Sequence, residues 1–77
     1  MNIQDIQQYL EAHQIYACIW EDNDQIVIGI EWGDWKHDHL YCIYLMSEIG
    51  YEQVSEELTE EDGSDCYSAE HYFEKQH

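Results

Sequence analysis

The stretch Trp32 to Tyr51, WGDWKHDHLYCIYLMSEIGY, constrains this chain more than any other part of it. Gly33 breaks the chain near its start, Asp34 can cap a helix N-terminus, and Gly50 can take the left-handed conformation that ends one. Between these signals Trp35, Leu40, Cys42, Ile43, Leu45, Met46 and Ile49 are apolar over much more than one narrow stripe. A helix this apolar must be covered on most sides, so it is expected to be the core helix of the domain. It holds no evident catalytic group.

The other segments fall into two similar halves around it. Residues 1–14 predict an amphipathic helix with Asn2 as N-cap, Asp5 in the first turn, and Ile3, Ile6 and Leu10 on one face. Ile15 to Trp20 and Gln25 to Trp32 alternate as strands, joined by Glu21-Asp22-Asn23-Asp24 as a hairpin turn. In the second strand Ile26, Ile28, Ile30 and Trp32 are expected on the core face, with Val27, Gly29 and Glu31 opposite. After the central helix, Tyr51 to Thr59 places Val54 and Leu58 on one face with Glu52 and Glu56. Cys66 to Phe73 brings Tyr67, Ala69, His71 and Phe73 together, and residues 60–65 are the expected turn. A helix over Tyr51 to Glu61 is the competing parse. The stop at Gly50 and the β-forming CYSAEHYF favour the strand. The expected fold is a single α+β domain over residues 1–77, in the order αββαββ, with a four-stranded, mostly antiparallel sheet and both helices on one face.

Seventy-seven residues bury roughly 60% of the unfolded surface, so the core is modest. A hydrophobic content of 44% with 14% aromatics is still well above the disordered range. Charge is the extreme property. Eighteen Asp and Glu face two Lys and Arg, for a formal net charge of −16. No basic patch exists to release counterions, which argues against direct binding to nucleic acid or to an anionic membrane. A basic partner, a metal cation or solubility alone would each account for the acidity. Cys18, Cys42 and Cys66 are odd in number and lack CxxC spacing. Without a signal peptide or transmembrane run, they read as half-buried thiols in a reducing cytoplasm.

Four constellations carry candidate chemistry. His37 and His39, with Asp34 and Asp38, offer metal-ligand atoms, but residues two apart on a helix do not face the same way. They read first as a polar opening turn, and His71 or Cys66 would join them only through the fold. Glu60, Glu61, Asp62, Gly63 and Asp65 resemble a fragment of a calcium loop without its ligand spacing. Cys42 or Cys66 with His71 lacks the context of a nucleophile, and so short a chain has little material for a deep pocket; no enzyme and no cofactor are expected. The fourth constellation is the acid distribution itself. Glu52, Glu56, Glu57, Glu60, Glu61, Asp62 and Asp65 lie in a run without Lys or Arg, of which Glu56 to Asp65 are the expected partner-binding residues, and Glu21, Asp22 and Asp24 form a second patch. Same-face carboxylates on a strand stand ~6.8 Å apart, comparable to successive phosphates of a nucleic-acid backbone. Tyr16, Trp20, Tyr51 and Tyr67 offer apolar anchors beside them.

Small size, strong acidity and an αβ core rich in Trp and Tyr resemble the DNA-mimic and anti-CRISPR class of phage-encoded inhibitors. The strings WGDWKHDH and TEEDGSDCYS look like short proteins of phages and mobile elements in gut-type bacteria, over roughly residues 30 to 73. The class has unrelated folds and carries over no functional residue. The resemblance implies a non-enzymatic protein of the bacterial cytoplasm that occupies the groove of a basic, nucleic-acid-handling protein. The alternatives are a small divalent-metal-binding domain using the acidic turn or His37, His39 and His71, and an immunity or antitoxin protein. The surplus of Trp and Tyr also suggests a homodimer through the uncovered face of the sheet.

Overall fold

The computed structural model describes residues 2–61, 63 and 65–76. The chain runs through α1 (Ile3–Ala12), β1 (Cys18–Asp22), β2 (Gln25–Asp34), a π-helical turn (Trp35–Leu40) continuous with α2 (Tyr41–Glu48), β3 (Tyr51–Glu61) and β4 (Cys66–Lys75). Local chemistry sets the helix ends. The Asn2 side chain accepts from the Asp5 amide at 2.8 Å while the Asp5 carboxylate faces the Asn2 amide, a reciprocal cap. Asp34 accepts from the His37 amide at 2.8 Å and starts the π-helical turn. Gly50, at φ +91°, carries the chain out of α2 and directly into β3.

The four strands form one antiparallel sheet in the order β1-β2-β4-β3. Ile6 and Leu10 of α1 and Cys42, Leu45 and Met46 of α2 converge on Ile28, Ile30 and Phe73 of the sheet, with Ile15 and Tyr51 closing the ends of the core. Both helices therefore cover the same face, and the order αββαββ holds. Cys18 is exposed, Cys66 half-buried, and Cys42 fully buried, where desolvation pushes its thiol pKa up to about 12.

Three departures from simple alternation matter. β2 carries one extra residue between Ile30, opposite Ala69, and Gly33, opposite Tyr67. Trp32 sits in this bulge at φ +53°, with its amide donating to Ser68 Oγ at 3.0 Å. It leaves the Ile face and is 48% exposed. β3 carries extra residues at Val54 and Thr59, the first between Gln53 and Ser55 and the second between Leu58 and Glu60. The expected Val54–Leu58 face is thereby broken: both are about half exposed, while Gln53, Glu56 and Leu58 lie opposite Phe73, His71 and Ala69 on the helix side. Finally, the strands reach further into the turns than expected. Glu21 and Asp22 are the end of β1, Glu60 and Glu61 the end of β3, and β1 begins at Cys18 rather than Ile15.

Gly33 is the tightest point of the β2 bulge. A Cβ there would stand 2.7 Å from Ile30 Cγ2 and 2.9 Å from Asp38 Cβ, both inside van der Waals contact. Gly33→Ala is expected to destabilise the fold by about 1–3 kcal/mol, read as a lower urea midpoint at unchanged slope.

Candidate functional site

The acidic residues singled out in the sequence do not form one patch. β3 distributes its carboxylates over both faces of the sheet. Glu57 lies opposite Glu70, Glu60 opposite Ser68, and Glu52 opposite Glu74, all on the face that no helix covers. Glu56 and Glu61 are on the helix side, opposite His71 and Tyr67. Glu21 and Asp22 occupy the far edge strand and Asp24 the turn after it, at the other end of the sheet from Asp65. Asp62 lies outside the described residues.

The uncovered face has an aromatic centre. Trp20, Val27, Tyr72 and Ser55 are aligned across the four strands, and the Trp20 ring lies over Gly29, close enough that a Cβ there would meet it at 3.3 Å. Val27, flanked across the strands by Trp20 and Tyr72, is fully buried although neither helix lies on this side. Around them stand Asp22, Glu52, Glu57, Glu60, Glu70 and Glu74. The Tyr72 hydroxyl donates to Glu70 Oε1 at 3.0 Å, which raises the phenol pKa. Gln25 Nε2 donates to Glu74 Oε2 at 2.9 Å. Glu70 and Glu74 were not singled out in the sequence. The β pairing of CYSAEHYFEK with the acidic strand was the available signal.

On the helix side, the bulges and the π-helical turn build a feature that periodicity did not reveal. His39, expected in a polar opening turn with His37, is fully buried, and so is His71. Six residues of π-helix rotate the chain less per residue than α-helix does, and His39 points into the sheet while His37 stays exposed. His39 Nδ1 stands 2.7 Å from His71 Nε2, His39 Nε2 stands 2.9 Å from the Tyr67 carbonyl, and His71 Nδ1 stands 2.6 Å from Gln53 Oε1. Trp35 stacks on His39 with centroids 5.0 Å apart and planes 23° apart, and Tyr67 meets Trp35 edge-on at 5.5 Å.

Proton counting fixes this relay. A carbonyl only accepts, so His39 Nε2 carries hydrogen. If His39 is neutral, its Nδ1 is bare and must receive the His71 Nε2 hydrogen. Neutral His71 then has a bare Nδ1, which requires the Gln53 amide to present its NH2 group. With Gln53 Oε1 facing Nδ1, all three contacts are satisfied only when the pair holds one extra proton. Burial, followed by the proximity of His39, pulls the His71 pKa from 6.5 down to about 4. His71 is therefore neutral at pH 7, and its bare Nδ1 calls for the Gln53 amide to turn its NH2 group toward the ring. That turn takes the Gln53 Nε2 donor away from Glu56 Oε1, its partner at 3.2 Å in the other orientation.

A pH dependence follows. In the unfolded chain His71 takes its proton near pH 6.5, in the folded chain only near 4. The unfolded state thus binds more protons between these values, and stability falls as the pH falls through that window, by on the order of 3 kcal/mol. NMR titration of the His71 ring carbons should show a midpoint about two units or more below that of an ordinary histidine.

A cavity of about 540 Å³ opens beside the relay, lined by Asp34, Trp35, Lys36, His37, Glu56, Leu58, Asp65 and Tyr67. The Trp35 amide donates to the Asp65 carbonyl at 3.2 Å and ties the β3–β4 connection to the π-helical turn. The amide of His37 holds the Asp34 carboxyl below its usual pKa. Among the described residues no three His, Cys, Asp or Glu side chains are placed to hold one metal ion. His39 and His71 meet each other at hydrogen-bond distance, and His37 does not join them. No helix among the described residues is long and apolar enough to cross a membrane.

The fold and this site define a small acidic α+β domain with a buried histidine relay. No family model matches the chain, and no curated protein and no solved structure matches it.

Proposed function

We propose that this protein is a non-enzymatic inhibitor that binds a basic, nucleic-acid-handling protein in the bacterial cytoplasm, as phage-encoded anti-CRISPR or anti-restriction proteins do, and occupies the groove that normally holds phosphates. The supporting observation is the uncovered sheet face, with Trp20, Val27 and Tyr72 at its centre and Asp22, Glu52, Glu57, Glu60, Glu70 and Glu74 around them. An aromatic centre inside a charged rim is the anatomy of a specific interface. Its single sign of charge selects a partner of the opposite sign and speeds encounter. The same carboxylates would face each other across a homodimer formed through this surface, so a basic protein suits it better than a second copy.

The reading is tested by capture from a nuclease-treated bacterial lysate, with elution by a salt gradient. One DNA- or RNA-binding protein, released by salt and displaced by added nucleic acid, is the expected result. A diffuse set of ribosomal proteins, or nothing, would reject it.

A further inference from the structure

The cavity beside Trp35 lies on the helix side of the sheet, away from the aromatic centre of the proposed interface. We propose that it binds the guanidinium group of an arginine side chain. The source of that arginine, a basic partner protein, rests on the function proposed above; the chemistry of recognition comes from the cavity alone.

Its size falls in the range of side-chain and small-ligand sites. Its lining combines the two features that bind organic cations. Trp35 and Tyr67 supply electron-rich rings, which attract a cation held against them. Asp34, Glu56 and Asp65 supply three carboxylates against the single ammonium of Lys36. An anionic or neutral occupant would leave that excess of negative charge unanswered. A planar guanidinium fits better than an ammonium because it can stack on a ring while donating two parallel hydrogen bonds to a carboxylate.

The cavity is also preorganised. The Trp35 ring is backed by the buried His39, whose two nitrogens are held by His71 and the Tyr67 carbonyl, so the floor cannot swing away when a ligand arrives. Little ordering then remains to oppose binding. Glu56 sits on β3 directly opposite His71, and its Oε1 lies 3.2 Å from the side-chain amide of Gln53 at the cavity wall.

The test uses Nα-acetyl-arginine amide as probe, Nα-acetyl-citrulline amide as its uncharged isostere, and the indole N–H signals of the three tryptophans at constant ionic strength. Saturable displacement of the Trp35 signal is expected, with Trp20 and Trp32 unmoved and the citrulline compound about tenfold weaker or worse. Glu56→Gln should weaken arginine binding about threefold, and Lys36→Gln should strengthen it about twofold, since these changes remove an attraction and a repulsion. Unsaturable drift of all three indoles, or equal binding of the two compounds, overturns the proposal. No partner is needed for this measurement, so its failure leaves the lysate capture to decide the wider function, and a failed capture leaves the cavity result standing.

Discussion

Replacing His39 with Ala will destabilise the protein by about 3–5 kcal/mol, while His37→Ala, two residues earlier, will cost less than about 0.5 kcal/mol. The contrast comes from what each ring touches. His37 is exposed and contributes only its backbone amide to the Asp34 cap. Loss of the His39 ring empties a fully buried space beneath Trp35 and leaves His71 Nε2 and the Tyr67 carbonyl without the partner they share. A domain of this size has a total stability of only about 4–12 kcal/mol, so the first substitution brings it close to unfolding. Urea titration of both variants reads the difference. His39→Leu serves as the companion variant: it refills most of the volume, and the cost that remains measures the orphaned hydrogen bonds alone.

The second large effect concerns binding. Reversing Glu57, Glu60 and Glu70 to Lys should weaken affinity for the captured partner by about a hundredfold and flatten its dependence on salt, mostly through slower association. The same triple variant should melt at a higher temperature than the parent, because it lowers self-repulsion in a chain of net charge −16. Weaker binding by a more stable protein excludes misfolding as the cause. Reversal of Glu21, on the helix side of β1, and Asp24, in the β1–β2 turn, is the control, and should change affinity only a few-fold. Surface plasmon resonance over a salt series, with a thermal melt of each variant, checks both arms.

The parts of this fold that were legible in the sequence are those set within a few residues. Asn2, Asp34 and Gly50 mark element ends through their own side chains or lack of one, and all three act as read. Alternation in QIVIGI placed Ile28 and Ile30 correctly. What escaped depends on one strand's register against another. Nothing local in YEQVSEELTEE announces that Val54 and Thr59 are extra residues; the first bulge moves Glu56 and Glu57 to the opposite face from simple alternation, and the second returns Glu60 and Glu61 to the original phase. Hence Glu57, not Glu56, shares the uncovered face with Glu52 and Glu60. The relay was hidden for a similar reason. His39 and His71 are 32 residues apart, and only a π-helical turn directs the first toward the second. A partial signal existed: His71 alternates with Ala69 and Phe73, so its burial was implied, and a buried imidazole needs a partner.

The bulges of β3 have one more consequence. β3 and β1 are the two margins of the sheet, where backbone groups lack a neighbouring strand. β1 spans only five residues, whereas β3 spans eleven and would be a template for strand addition by other copies. Two interruptions of its hydrogen-bonding row, together with the glutamates at 52, 56, 57, 60 and 61, spoil that template along most of its length. The irregularity that confuses the face pattern therefore protects against ordered aggregation. It lets a chain rich in aromatic β-formers hold a long open margin in a crowded cell without recruiting its own kind into fibrils.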